Sequence, residues 1–273
     1  MSDSELVVVT AAEGVTTLRM NNPRKLNGWT MGMMEALRAA FDTAAADEAC
    51  QVLVLTGTDP YYCAGVNLSA TVKLSHPKSL HAMIVERNRG LFEMFLDFPK
   101  PIIAAVNGPA IGASVTSATL CDALVASEQA TFSTPFAALG VPPEGCSSVL
   151  FAQLMGDAAD RMLGAEGFKP TAAEALQMGL IDQVVPHEEL SQACQALGEA
   201  WIAAGRTRTY RGGFDGDTLR RVNAEESVAV ADAFLDSPFL QGQYQFLKRK
   251  KKRGPAAMFY ALWRTRPLWS RLL

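Results

Sequence analysis

The stretch VNGPAIGASVT, residues 106–116, decides the fold. It follows a short apolar run that begins at Pro101, and its Asn-Gly-Pro triplet is a turn signal. Small residues then continue to about Leu120. The pattern predicts a buried strand, a tight turn, and a helix whose first turn carries almost no side chain.

The start of that helix is a candidate ligand site. The first backbone N–H groups of a helix have no acceptor within the helix, and small residues such as Gly112 and Ala113 let a ligand oxygen approach them. Amides in this position can stabilise an anion or an oxyanion. The alternative is that the small residues serve only close packing of the helix on the sheet, and this stretch alone leaves both interpretations open.

Length and composition limit the class of protein. The chain has 273 residues, of which 49% are hydrophobic, enough for one large core or for a core with a small second domain. No apolar run approaches the roughly 18 residues of a membrane-spanning helix, and the acidic start at Met1–Glu5 does not resemble a secretion signal. Five cysteines without a C-x-x-C pair argue against a disulfide framework or a metal site and favour a reducing compartment.

The charge is distributed unevenly along the chain. Residues 248–273 hold nine Lys or Arg and no acid, so 16 of the 25 basic residues and all 28 acidic residues precede them. A basic tail on an acidic body suits phosphate-bearing ligands, a membrane surface or a partner subunit, and nothing indicates a nucleic acid partner.

The succession of patterns predicts an α/β body followed by a helical region. Strands are predicted at residues 6–9, 15–20, 52–55, 101–106, 122–126, 131–132 and 181–185. Helices are predicted after an N-cap at Thr30 and at residues 81–97, 112–120, 147–155, 171–178, 188–204, 222–235 and 241–252. Residues 134–145 and 205–217 are predicted to be irregular.

Three segments resemble the fingerprints of the crotonase superfamily, which contains the enoyl-CoA hydratases and isomerases. They are residues 55–57 with 63–68, residues 100–108 followed by Gly112, and residues 171–175 with 179–182. Order and spacing match over residues 5–190. The resemblance implies the α/β crotonase (ClpP/crotonase-like) fold, a spiral of ββα repeats. It places a CoA and catalytic core at residues 1–190 and a helical oligomerisation region at residues 191–273, in a homotrimer or hexamer.

The same resemblance assigns roles to backbone and side-chain groups. The N–H groups of Val66 and Ala113 would hold the oxygen of an acyl-CoA thioester. Arg24 and Lys25 would contact CoA, although a solvated basic loop is the alternative for both. The expected CoA path follows Ala64, Gly65, Val66, Asn67 and Leu68, and the expected substrate pocket includes Gly112, Phe136, Leu139 and Pro143.

The acid–base groups separate the reactions of the family. Its hydratases resemble one another in two glutamates, whose positions here hold Thr116 and Phe136, and neither side chain can replace a carboxylate. Glu144 is the only acid between Gln129 and Met155. Its surroundings, residues 131–148, resemble Δ3,Δ2-enoyl-CoA isomerases of the peroxisomal type, in which the matching glutamate moves the proton.

The sequence therefore predicts an acyl-CoA isomerase of fatty acid β-oxidation that moves a double bond from position 3 to position 2. Burial is expected to raise the pKa of Glu144 and so strengthen it as a base. No cofactor is implied beyond the CoA moiety of the substrate. The alternatives are another crotonase reaction, such as hydration or thioester hydrolysis, and a non-catalytic CoA-binding protein. Glu144 could also serve only as a charge at the helix start near Ser147.

The last residues, 258–273, combine aromatic, leucine and arginine side chains. Such a tail suits weak contact with a membrane surface or packing against another subunit. The final Ser270–Leu273 resembles a peroxisomal Ser-Lys-Leu signal displaced by one residue. We therefore expect a cytoplasmic protein if the source is bacterial, and a peroxisomal location with an imperfect signal if it is eukaryotic.

Overall fold

The computed structural model describes residues 5–67, 75–164 and 166–273. Its strands are β1 (Val7–Ala12), β2 (Val15–Met20), β3 (Val52–Gly57), β4 (Ile102–Val106), β5 (Ala110–Ile111), β6 (Ala123–Ser127), β7 (Phe132–Ser133) and β8 (Gln183–Val185). Its helices are α1 (Met31–Ala46), α2 (Pro77–Leu96), α3 (Ala113–Thr119), α4 (Phe136–Leu139), α5 (Ser147–Met155), α6 (Ala158–Leu163), α7 (Ala172–Gln177), α8 (Leu190–Ala203), α9 (Gly216–Phe234), α10 (Ser237–Arg249) and α11 (Arg253–Trp269).

The strands form one large sheet and one small one. The large sheet has the order β1-β2-β3-β4-β6-β8. Only the β1–β2 hairpin is antiparallel, and all other neighbours run parallel. Strands β5 and β7 form a separate parallel pair. The predicted α/β class is confirmed, and the strand, turn and helix predicted around residues 101–120 are β4, a turn that includes β5, and α3.

Both faces of the large sheet are buried at its central strands, β3, β4 and β6. Along β3, Leu53 and Leu55 belong to the main core, whereas Val52 and Val54 belong to a second cluster with Trp201 of α8. This alternation follows from the two-residue period of a strand, and burial of both faces is typical of parallel sheets. Helix α8 begins at Leu190, so it packs on the sheet although nearly all of it belongs to the region predicted to serve oligomerisation. The boundary between the two predicted regions, after residue 190, stays a prediction.

A third apolar cluster joins α2 to the C-terminal helices. It contains Ile84 of α2 and Phe234 of α9, together with the buried rings of Phe239 in α10 and Phe259 in α11. The C-terminal helices therefore cover one end of α2. None of the helices within the described residues is both long enough and apolar enough to cross a membrane.

The structure differs from the predicted elements at a few places. Helix α2 begins at Pro77 instead of His81, because proline is well accommodated in the first turn of a helix. The short helix α4 lies inside residues 134–145, which were predicted to be irregular. Helix α6 and strand β5 carry no sequence pattern long enough to reveal them.

Candidate active site

The ends of β3 and β4 are joined by Asn107. Its Oδ1 accepts a hydrogen bond from Gly57 N at 3.0 Å, and its Nδ2 donates to Asp59 Oδ1 at 2.8 Å. The next residue, Gly108, lies so close to the other loop that a Cβ atom there would be 2.2 Å from Pro60 O. Because neighbouring parallel strands end at the same edge of a sheet, these contacts hold the two small-residue loops side by side.

The two loops also pair through their backbones. Cys63 O accepts hydrogen bonds from Ile111 N and from Ser114 Oγ, both at 3.0 Å. Gly65 has a φ of +78°, and a Cβ atom there would be 2.5 Å from Ile111 O, so only glycine fits. Gly112 has a φ of +62° but no atom within 4 Å of a Cβ position, so its backbone borders open space.

The amides of Val66 and Ala113 lie on this shared wall. The neighbouring amides are occupied, because Gly112 N donates to Ser133 O at 2.7 Å and Gly65 N to Cys63 Sγ at 3.3 Å. Within residues 5–67, 75–164 and 166–273, neither Val66 N nor Ala113 N has an acceptor, and both residues line one cavity. These two donors are therefore available to a ligand oxygen.

The cavity has two chambers that meet at three shared residues: Val66, Glu144 and Phe234. The amide chamber is lined in addition by Ala64, Gly65, Ile111, Gly112, Ala113, Pro135, Phe136, Leu139 and Val141. The distal chamber is lined in addition by Met31, Met34, Ile84, Arg87, Asn88 and Leu91. Of the four predicted pocket residues, three line the amide chamber, whereas Pro143 is half-buried and lines neither.

Glu144 stands where the chambers meet. It is 8% exposed, and its Oε2 accepts a hydrogen bond from Asn88 Nδ2 at 2.7 Å. Burial raises the pKa of Glu144 to about 7; the Asn88 hydrogen bond opposes this shift, and the nearby Glu226 charge adds to it. The predicted direction is confirmed, and the carboxyl group is matched to proton transfer near neutral pH.

A different carboxylate caps the helix that follows Glu144. Glu226 of α9 accepts hydrogen bonds from Cys146 N at 2.6 Å and Ser148 N at 2.9 Å. The Glu144 side chain instead turns into the cavity, and only its backbone carbonyl bonds to Ser147, whose Oγ donates at 2.8 Å. The interpretation of Glu144 as a helix-start charge is therefore wrong, because Glu226 occupies that place.

Residues 10–250 match the family described as enoyl-CoA hydratase/isomerase. The chain belongs to this family. It is 34% identical over 257 residues to human enoyl-CoA delta isomerase 2, covering 91% of this chain and 64% of that protein's length. It is 32% identical to mouse enoyl-CoA delta isomerase 3, peroxisomal, covering 92% of this chain and 80% of the mouse protein. Among solved structures, Pseudomonas aeruginosa OdaA is 26% identical with a TM-score of 0.74, covering 89% of this chain and 99% of that one.

Side chains of α2 and α9 also surround Glu144, and they lie outside the three segments that resemble the family fingerprints. Ser227 Oγ lies 2.7 Å from Asn223 O and 3.0 Å from Asn88 Oδ1, and its single hydroxyl proton is shared between these two acceptors, so α9 contacts the amide that donates to Glu144. Asn223, Glu226 and Ser227 are buried and share one face of α9. In the sequence, three polar residues at this spacing look like the solvent-exposed face of a helix. The sequence alone therefore does not distinguish them from surface residues.

The proposed CoA contacts lie beside the amide chamber. Arg24 and Lys25 are exposed in a 3₁₀ turn, and the following Leu26 O accepts a hydrogen bond from Ala64 N at 2.9 Å. Asn67 is exposed, and its N donates to Trp29 O at 3.1 Å. Leu68 lies outside the described residues. The turn is thus close to the chamber lining, and its cations point to solvent.

The two cysteines near the site, Cys63 and Cys146, are fully buried in the core. Burial raises the pKa of Cys63 to about 12, and burial together with the charge of Glu226 raises the pKa of Cys146. Both thiols therefore stay protonated near neutral pH. In the described parts of the chain, no three His, Cys, Asp or Glu side chains lie close enough to hold a metal ion.

Proposed function

We propose that the protein is a Δ3,Δ2-enoyl-CoA isomerase that moves the double bond by a one-glutamate 1,3-proton transfer. The observation that carries the proposal is one cavity shared by a buried carboxylate, Glu144, and by the amides of Val66 and Ala113, which have no acceptor in the described part of the chain. A base and an oxyanion site are the two groups that enolate chemistry requires.

The reaction follows from these groups. The carboxylate of Glu144 removes a proton from C2 of a 3-enoyl thioester, and the C2–H electron pair moves into the thioester to form a dienolate. The amides of Val66 and Ala113 donate to the dienolate oxygen. Glu144 then returns the proton to C4, the double bond forms between C2 and C3, and the carboxylate is regenerated. Loss of one oxyanion donor would cost about 3–4 kcal/mol of activation free energy.

Hydration by two carboxylates is disfavoured. Glu144 is the one carboxylate among the described residues that line the two chambers. Thr116, at one of the hydratase positions, is fully buried and donates to Ala113 O at 3.3 Å, and Phe136, at the other, lines the amide chamber. Glu226, whose charge raises the pKa of Glu144, already accepts hydrogen bonds from two backbone amides.

Thioester hydrolysis by a serine nucleophile is disfavoured as well. Ser127, His187 and Asp59 are joined by side-chain hydrogen bonds of 3.0 and 3.2 Å. Ser127, however, is fully buried and lines neither chamber. A nucleophile needs access to the substrate carbonyl, so this chain of groups is structural.

The remaining parts of the proposal concern binding and assembly. We expect CoA to lie along residues 64–67 with its phosphates near Arg24 and Lys25, and we keep the homotrimer or hexamer as the expected assembly. Tyr260 and Trp263 of the tail pack with Tyr244 of α10, while Leu268 is 76% exposed. Both proposed roles of the tail, contact with a subunit or with a membrane surface, use that exposed end. The mouse relative is named as a peroxisomal protein, which supports a peroxisomal location for this chain if its source is eukaryotic.

The test is turnover of 3-hexenoyl-CoA, followed by the absorbance of the conjugated product. We expect wild type and Glu128→Gln, an exposed matched control, to be active, and Glu144→Gln to lose activity while it still binds CoA thioesters. Isomerisation that persists in Glu144→Gln would overturn the proton-transfer role. Water addition to crotonyl-CoA without isomerisation would identify a hydratase, and binding without turnover in every form would identify a CoA-binding protein.

A further inference from the structure

Arg87 of α2 lies at the wall of the distal chamber and has no partner among the residues that the structure describes. Its Nη1 atom is buried, and Arg87 makes no hydrogen bond or ion pair with any of the described residues. The other arginines nearby are occupied. Arg89 pairs with Glu93 at 3.2 Å, and Arg38 donates to Gly90 O.

The position of Arg87 marks the end of the cavity. Arg87, Met34 and Leu91 line the distal chamber and also a groove on the protein surface, so these three side chains separate the two spaces. The amides of Val66 and Ala113 border the other chamber. A thioester held at those amides would therefore extend its acyl chain past Glu144 towards Arg87.

Arg87, which is half-buried, adds a charge to the mostly apolar wall of the distal chamber. Apart from the groups at Glu144 and Asn88, Arg87 is the one polar side chain of the distal chamber within the described residues. A buried donor left without an acceptor costs free energy, and a hydrocarbon end cannot relieve that cost. A carboxylate fits a guanidinium both in charge and in its paired donor geometry.

The geometry points to Arg87 as the binding group for a carboxylate at the far end of the acyl chain, so that the preferred substrates are CoA monothioesters of unsaturated dicarboxylic acids. This inference rests on the isomerase proposal, which places the thioester at Val66 and Ala113. Arg87 determines specificity and takes no part in the proton transfer.

The inference is tested by binding, which does not depend on turnover. Isothermal titration of the full chain would use saturated CoA thioesters of six, eight and ten carbons, each with a methyl or a carboxylate end. We expect wild type to favour the carboxylate end at the length that reaches Arg87. Arg87→Met should reduce this preference by about 10- to 100-fold, the effect of losing a charged hydrogen bond, and Arg87→Lys should retain part of it.

A matched control is available on the same helix. Arg89 is exposed and paired with Glu93, and Arg89→Met should leave the preference unchanged. Equal preferences in wild type and Arg87→Met at every length would overturn the inference. The inference would also be overturned if Arg87→Met changed only the pH profile of isomerisation. Arg87 would then act through its charge on the pKa of Glu144 and not as a binding group for the acyl chain. If no 3-enoyl-CoA is isomerised, the proposed function fails, while the binding comparison still decides the role of Arg87.

Discussion

The side-chain amide of Asn88 donates to Glu144 Oε2 at 2.7 Å and connects α2 with the turn before α5. Ser227 of α9 supports this orientation of the amide, because its hydroxyl proton is shared between Asn88 Oδ1 at 3.0 Å and Asn223 O at 2.7 Å. A hydrogen bond to a carboxylate favours its charged form. Asn88 therefore limits the rise in the pKa of Glu144 that burial causes.

Replacing Asn88 by leucine should move the acidic limb of the activity profile to higher pH. Leucine has nearly the same size but cannot donate, so the pKa of Glu144 should rise above about 7. A charged hydrogen bond contributes about 1.5–3 kcal/mol, which corresponds to about 1–2 pH units. The measurement is the pH dependence of kcat for 3-hexenoyl-CoA. Ser227→Ala should cause a smaller shift in the same direction, and an unmoved limb in both variants would contradict the role of Asn88.

Glu144→Gln should stabilise the protein at high pH while it abolishes isomerisation. The pKa of Glu144 is 4.5 in its ordinary state and about 7 in the fold, so the folded protein binds this proton more tightly. The contribution of this bound proton to the free energy of unfolding is complete below pH 4.5 and is lost as the pH rises through 7. The loss approaches about 3 kcal/mol, and the glutamine variant avoids it. Urea unfolding of both proteins at pH 5 and pH 8 measures the difference.

The matched control for this effect is Glu174→Gln. Glu174 is an exposed capping residue whose pKa is lowered, first by the backbone hydrogen bond from Thr171. Its charged form is favoured by the fold, so its replacement should destabilise the protein at pH 8, opposite to Glu144→Gln. Equal responses of the two variants to pH would contradict a specific effect of burial at Glu144.

The parts of the site that depend on local sequence could be predicted. The apolar run Ile102–Val106, the turn after it and the small residues of α3 lie in one continuous stretch, so their pattern determines strand, turn and helix. The resemblance added Val66 and Glu144, which the structure places on one cavity.

The side chains that position Glu144 could not be predicted. Asn88 lies 56 residues before Glu144 in the chain, and Glu226 lies 80 residues after Cys146. Whether a polar side chain on a helix faces solvent or a buried carboxylate depends on which helix packs against it, and no local pattern reports that. Arg87 was missed for the same reason.

Gly145→Ala should destabilise the turn that carries Glu144. Gly145 has a φ of +66°, and a Cβ atom there would be 2.4 Å from Phe92 Cε1 and 2.7 Å from Thr116 Oγ1. The left-handed backbone alone costs roughly 1–2 kcal/mol for alanine. Gly140→Ala isolates that cost, since Gly140 is left-handed (φ 67°, ψ 33°) and a Cβ atom there would meet only ordinary contacts, with Pro238 Cβ at 3.7 Å and Phe239 N at 3.9 Å. Thermal unfolding should show a larger loss for Gly145→Ala, and equal losses would mean that the contacts with Phe92 and Thr116 carry no penalty.

Glu226→Gln should shift the acidic limb of the activity profile to lower pH, opposite to Asn88→Leu. The charge of Glu226 raises the pKa of Glu144, so its removal should lower that pKa. Glutamine keeps one acceptor for the amides of Cys146 and Ser148 and places an N–H group against the other, which should cost about 1–3 kcal/mol of stability. The pH dependence of kcat and urea unfolding measure the two effects. Glu225→Gln, at the exposed neighbouring position, is the control and should change neither. A loss of stability without any shift of the limb would show that Glu226 holds the turn but does not act on the charge of Glu144.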